Sequence, residues 1–307
     1  MIIDSAFSLS CSGRDDILSL PFFSAGRPLV QDSSQNLHPK CHLTTINAGS
    51  MRFRWNEENP TRKNFLLQQN IISPTTGAAT SPSPLVPPSG YPQILALSQK
   101  LSVPVELIHS QVVYAIEQGM EGLPQLLARR GSHPDAMDLW RGDGLITTNG
   151  NLVPVVTVAD CLPIYLYDPK TACRGVVHSG WKGTGIVREA IKLAEKEFGA
   201  RAFDFSVVIG PHIHSCCYQV EQERLEFFTS NFGKSCILPP NNLNLAQANC
   251  NLLVDLGVPE DNILCCSDCT CCDSRFGSFR RQASHLPDSM SLEEKLRHFT
   301  TMMAFVC

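Results

Sequence analysis

LVPVVTVADCLPIYLY, residues 152–167, decides how the rest of the chain is read. Leu152–Ala159 is apolar and rich in β-branched residues, which predicts a strand buried on both faces. Asp160-Cys161 breaks the run with a carboxylate and a thiol, and Leu162–Tyr167 resumes it as a second strand segment. Residue type alone leaves Cys161 balanced between a small buried thiol and a functional one, with Asp160 as a turn residue beside it.

The segments that follow place more chemistry at strand ends. Arg174–Val177 predicts a strand leading into His178, and a turn of Gly180-Trp181-Lys182-Gly183-Thr184-Gly185 comes next. Ile186–Phe198 then carries Ile186, Ala190, Leu193, Ala194 and Phe198 at helical spacing and stops at Gly199, which predicts an amphipathic helix with a glycine cap. Such a turn frees backbone N–H groups at a helix start, where an anion is favoured. It is not a Walker motif, because Lys182 precedes Gly183. Phe205–Ile209 predicts a further buried strand, residues 243–256 a helix, and Met302–Val306 a last strand. Upstream, Ile94–Leu101 suits a short helix, and Ile108-His109-Ser110 precedes the apolar run 112–116. Strands and helices mix without an internal repeat, so the expected fold is a mixed α/β domain.

Composition narrows the function. The 307 residues are 43% apolar and 18% charged, which is globular rather than disordered. A formal net charge of −4 with no basic stripe argues against nucleic acid as a partner. No run approaches the roughly 18 apolar residues of a membrane span, and the first twenty residues lack a positive lead and an unbroken apolar core. A cytoplasmic protein without membrane contact is expected. In that setting the fourteen cysteines are reduced thiols, metal ligands or core residues rather than a disulfide framework. The cluster Cys265, Cys266, Cys269, Cys271, Cys272 contains the CxxC pair Cys266 and Cys269, and Cys216-Cys217 is an adjacent pair. Reduced thiols beside a pocket are expected there ahead of a dedicated zinc knuckle. The Pro- and Ser-rich stretch at residues 70–92 reads as a surface insertion, and residues 1–45 give no strong pattern.

Read in order, the blocks IHSQVV, DGLITT, VPVVTVADCLPIYL, GVVHSGWKGTGIVREAI, VVIGPHIHSCCYQV and CTCCDSRFGSFRR resemble the laccase-domain family, long called multicopper polyphenol oxidases and now viewed as purine nucleoside phosphorylases. The resemblance covers about residues 94–281, and Ile46-Asn47-Ala48-Gly49 is similar to an element near the family's N-terminus. It implies a layered α-β-β-α single domain with mixed sheets, here residues 46–307. It also implies a metal held by one cysteine and two histidines, which fall on His109, Cys161 and His178. Zinc is the expected ion, with copper as the other candidate, and a thiolate with two imidazoles suits either. The first histidine sits in Leu107-Ile108-His109-Ser110 where the family has Gln-Val-His-Gly, and Gly277 and Phe279 depart from its Phe-Ser-Tyr-Arg-Arg block.

The implied activity is phosphorolysis of adenosine, inosine, guanosine and methylthioadenosine, with adenosine deamination as a companion. The partners are then a small purine nucleoside and phosphate. Cys161, His178 and Asp160 are the expected catalytic residues, Asp160 as a proton shuttle. Lys182, Arg280 and Arg281 are the expected grips on phosphate. Two other classes fit the same residues: a copper-dependent polyphenol oxidase, and a Cys–His hydrolase or amidase with Cys161 as nucleophile and His178 as base. Nine histidines, with only His212 and His214 as a His-x-His pair, are few for a multicopper centre.

Overall fold

A computed structural model of the chain describes residues 2–4, 15–29, 38–55, 57–72, 100–119, 123–133 and 140–307. Most of the 70–92 stretch, from residue 73 on, lies outside the described residues, as do residues 94–99. Lys100 and Leu101, expected at the end of a short helix, instead begin the strand Lys100–Pro104. That segment pairs in parallel with Leu152–Val158, and sheet pairing outweighs its weak helical spacing.

Two mixed sheets face each other. The larger has eight strands in the order Ile2–Asp4, Ile263–Cys266, Ser206–Ile209, Leu162–Tyr167, Arg174–Ser179, Gly144–Thr147, Val113–Gln118 and Pro124–Arg130. The smaller has six, in the order Ile17–Pro21, Lys40–Thr44, Met302–Val306, Leu152–Val158, Lys100–Pro104 and Ile71–Ile72. Strands from before residue 46 thus join both sheets.

Continuous apolar sequence conceals a period of two. Along Leu152–Val158, Leu152, Val156 and Val158 enter the core between the sheets, while Val153 and Val155 face outward to Phe65 and Leu66 of the helix Pro60–Gln68. Along Leu162–Tyr167, Tyr165 and Tyr167 point between the sheets, and Leu162, Ile164 and Leu166 point to the helices Ile186–Phe198 and Leu245–Asp255. Helices cover the outer face of each sheet, giving the layered α-β-β-α arrangement. Both faces of the central strands are buried, which is why they read as unbroken apolar runs.

The break at Asp160-Cys161 is where this architecture turns. Leu162–Tyr167 does not prolong the strand before it; it belongs to the other sheet. The chain crosses between sheets in three residues, and Asp160 takes a left-handed backbone with φ 76°. Asp tolerates that region better than most residues. Its carbonyl accepts from Ile213 N at 2.9 Å, its Oδ1 accepts from Thr270 Oγ1 at 2.7 Å, and its Oδ2 accepts from Arg280 N at 2.6 Å. The apolar pattern predicts both strands but is blind to the change of sheet, because residues of either sheet look alike when both faces are buried.

The hydroxyl of Tyr165 spans the interior and donates to His42 O of the smaller sheet at 2.8 Å. Tyr165→Phe leaves that carbonyl without this donor and should cost about 1–2 kcal/mol. The urea midpoint of the variant should fall with an unchanged slope; an unshifted midpoint would show that the bond between the sheets contributes nothing.

Candidate metal and catalytic site

Three loops at one end of the larger sheet converge. His109 precedes the strand Val113–Gln118, Cys161 precedes Leu162–Tyr167, and His178 lies one residue before the end of Arg174–Ser179. Pro163 pairs with His178 across the antiparallel register, which sets Cys161 beside the histidine. The His109 and His178 rings meet edge to face with centroids 5.1 Å apart. Cys161 and His178 share a side-chain hydrogen bond. His178 is therefore the neighbour of both other expected ligands; it is buried, Cys161 is half-buried and His109 reaches solvent.

Asp143 organises them. It is fully buried ahead of the strand Gly144–Thr147. Its Oδ1 accepts from His109 N and from His178 Nδ1, each at 3.0 Å. Its Oδ2 accepts from Ser110 N at 2.7 Å and from Ser110 Oγ at 2.8 Å. With Nδ1 bound to the carboxylate, His178 is left with Nε2 for the sulfur or for an ion. Ligand-capable atoms of His109, Asp143 and His178 lie within 4.8 Å of one another. Asp143 already has four donors on its two oxygens, so its place is behind the histidines, in the orienting position that metal-binding imidazoles usually have filled. His109 has a left-handed backbone with φ 54°, and the two amide bonds to Asp143 hold it there. Sequence reasoning missed Asp143, although it stands in the DGLITT block; an acidic residue entering a fully apolar strand was the available signal.

Electrostatics separate the two histidines. Burial pulls His178 down, but the Cys161 sulfur and the Asp143 carboxylate outweigh it and carry its pKa up to about 10. His109 goes the other way, to about 4, through desolvation of its ring and the nearby His178, with Lys182 adding to the effect. Positive charge is thus favoured at His178, between the sulfur and the carboxylate, and disfavoured at His109. Imidazole and sulfur donors of this kind suit a zinc or copper ion.

The surroundings set the access. A Cβ on Gly180 would lie 2.9 Å from Cys161 Sγ, so the thiol is backed directly by the main chain. A Cβ on Gly183 would lie 2.7 Å from Ser110 O, which ties the glycine-rich turn against the His109 loop. Lys182 is exposed on that turn, 5.4 Å from the Trp181 ring centroid. Beside it, Trp181, Lys182, Arg188 and Phe227 line an open cleft of about 390 Å³ that includes none of His109, Cys161 and His178. On the other side the Arg280 guanidinium lies 5.5 Å from the Tyr218 ring centroid, and its Nη2 donates to Gln219 O at 3.3 Å. Burial raises the Tyr218 phenol, the Cys161 sulfur adds to the rise, and Arg224 bonds to it. Arg224 also stacks on Trp181, 4.4 Å from the ring centroid. Tyr218 and Arg224 were not singled out from sequence, since nothing local connects them to Cys161.

Arg281 is placed differently from Arg280. Its Nη1 donates to Thr270 O, Cys271 O and Asp273 O at 2.6, 3.0 and 3.0 Å, and its Nη2 to Phe276 O. The guanidinium clamps a turn instead of facing the site. Asp160 adjoins Cys161, but both its oxygens are engaged by Thr270 and Arg280.

Residues 92–289 match the family described as multi-copper polyphenol oxidoreductase laccase. A purine nucleoside phosphorylase of Clostridium acetobutylicum is 36% identical over 146 residues, 46% of this chain and 61% of that protein. The adenosine deaminase RL5 of an unknown prokaryotic organism is 33% identical over 148 residues, 45% of this chain and 56% of that protein. The chain therefore spans less than two thirds of the length of either relative. In fold, the crystal structure of YlmD from Geobacillus stearothermophilus superimposes with a TM-score of 0.61 at 22% identity, over 94% of this chain and 98% of that one.

Two outcomes test this geometry. Asp143→Asn should weaken zinc binding about 10–100-fold, measured by competition with a chromophoric chelator; unchanged affinity would remove Asp143 from its orienting role. In metal-free protein, the folded pKa of His178 lies above its unfolded value of about 6.5. Its contribution to stability is thus fully present below about pH 6.5 and lost as the pH rises through about 10. Urea melts across that window should show the loss, and His178→Ala should abolish that part of it.

Proposed function

This chain belongs to the multi-copper polyphenol oxidoreductase laccase family, and from that premise we propose that it is a metal-dependent purine nucleoside phosphorylase with a companion adenosine deaminase activity. The observation that carries the reading is that His178 lies against His109 on one side and Cys161 on the other, with Asp143 behind it. Names of relatives support the reaction class: one is a purine nucleoside phosphorylase and another an adenosine deaminase. The proposed substrates are adenosine, inosine, guanosine and methylthioadenosine, with phosphate.

His109, Cys161 and His178 would hold the ion, zinc by preference. Such an ion supplies Lewis-acid polarisation of a bound group. Everything else falls to the protein. In phosphorolysis a phosphate oxygen forms a bond to the sugar C1′, the bond from C1′ to the purine nitrogen breaks, and the base leaves with a proton. Lys182 and Arg280 are the proposed phosphate grips, because Lys182 is near His109, Arg280 is near Tyr218, and charge-assisted bonds to phosphate are strong. Arg281 is proposed to act one step removed, by fixing the turn that presents Arg280. Asp160 positions Cys161 on one side and the Arg280 backbone on the other. The ring of Tyr218, beside Arg280 and near Cys161, offers a face for a purine.

One observation favours a second reading. Cys161, His178 and Asp143 form a chain of thiol, imidazole and buried carboxylate, the arrangement of a thiol nucleophile with its base and orienting acid. That hydrolase would need no metal.

Incubation with adenosine and phosphate, followed by chromatography, should yield adenine and ribose 1-phosphate. Cys161→Ala and His178→Ala should each lower kcat/KM by more than the roughly 10–100-fold typical of losing an orienting partner. Lys182→Ala should chiefly raise the KM for phosphate, by about tenfold or more. No turnover of any purine nucleoside, with or without phosphate, would refute the phosphorylase reading. Amide or ester cleavage that survives a strong chelator would establish the hydrolase instead.

A further inference from the structure

Four cysteines outside the site described above meet in space. Cys216 and Cys217 lie in the loop that leaves the strand Ser206–Ile209. Cys269 and Cys272 lie in the turn that follows Ile263–Cys266. The sequence reading paired Cys266 with Cys269, but Cys266 is buried within its strand, and the CxxC pair that faces the loop is Cys269 and Cys272. All four sulfurs fall within 4.8 Å of one another. Cys216 to Cys217 is 3.8 Å, Cys216 to Cys272 is 3.7 Å and Cys217 to Cys272 is 3.3 Å. None of the four is in a disulfide.

We propose that Cys216, Cys217, Cys269 and Cys272 form a structural zinc site, a tetrathiolate separate from the His109–Cys161–His178 site. Four sulfurs about 2.3 Å from a tetrahedral zinc lie about 3.8 Å apart, close to the spacing of this cluster. The local backbone has the supporting pattern. The amide of His214 donates to Cys269 Sγ at 3.4 Å, and the amides of Cys271 and Cys272 also donate to that sulfur. Amide donors favour the thiolate form that a metal requires. Thiolate donors select soft or borderline ions, and four sulfurs around one tetrahedral centre suit zinc, with iron as the other ion such a set takes. With four protein ligands the site is closed, so its role is to hold structure and not to react.

The clip joins two segments that otherwise touch through little regular pairing. A single bridge links His212 with Cys269, and Thr270 N donates to His212 O at 3.0 Å. From there the connection runs to the proposed active site. Thr270 holds Asp160, Arg280 donates to Asp160 and to Gln219 O, and Arg281 clamps the carbonyls of Thr270 and Cys271. Zinc at the cysteines would thus pin both Tyr218 and the Arg280 segment.

The test uses the full chain, purified with a thiol reductant and without added metal. His178→Ala should retain about one zinc per chain by elemental analysis, and X-ray absorption at the zinc edge should show sulfur neighbours alone at about 2.3 Å. Cys217→Ser/Cys272→Ser should lose that ion. As a check independent of the folding of this double variant, wild-type protein titrated with an organomercurial should release the same ion as its thiols are blocked. A His178→Ala protein that holds no zinc, or zinc with nitrogen in its shell, overturns the proposal. So does mass spectrometry showing these cysteines in disulfides in the reduced preparation. If wild type and His178→Ala carry the same single all-sulfur zinc, the tetrathiolate stands and the metal reading of His109, Cys161 and His178 fails.

Discussion

The buried carboxylate of Asp143 is the constraint on which the rest of the site depends. A charge at this depth is expensive unless its lone pairs are filled, and four donors fill them here. Those donors come from the loop of His109 and Ser110 and from the strand end at His178, so satisfying the carboxylate also fixes the distance between the two. His109 and His178 meet because both answer to the same pair of oxygens. The strand Gly144–Thr147 that carries Asp143 lies between the strands of the two histidines in the larger sheet. Ordinary sheet pairing therefore delivers the acid to the place where both can reach it.

A second carboxylate does comparable work on the other side of the thiol. Asp160 turns the chain from one sheet to the other and accepts from Thr270, Arg280 and, through its carbonyl, Ile213. The two acids differ in what they hold. Asp143 aligns the His178 imidazole and the backbone of His109, whereas Asp160 aligns the late segment that carries Arg280. Both left-handed residues of the site, His109 and Asp160, are held by bonds from distant parts of the chain. Such conformations persist only where the surroundings over-determine them.

Much of this was legible in the sequence. The strands on either side of Asp160-Cys161, the helix Ile186–Phe198 with its Gly199 cap and the final strand Met302–Val306 all follow from apolar runs and helical spacing. His109, Cys161 and His178 could be named together only through an ordered set of blocks, since each is ambiguous alone. What stayed hidden shares one cause: it depends on which distant residues become neighbours. The change of sheet at Asp160, the four donors on Asp143, the clamp made by Arg281 and the approach of Cys216-Cys217 to Cys269 and Cys272 are all long-range. No spacing rule within a segment reports them.

The glycine behind the thiol has a directional consequence. Cys161 Sγ occupies the space that a side chain at position 180 would need, and the buried ring of His178 closes the interior side. Solvent reaches this group of residues where His109 lies. A molecule that approaches from the exposed side meets the thiol with main chain directly behind it. Fit at the reacting end is then set by main chain, which barely yields, while the trailing part meets exposed side chains such as Lys182. Tolerance for varied substituents would grow with distance from the thiol.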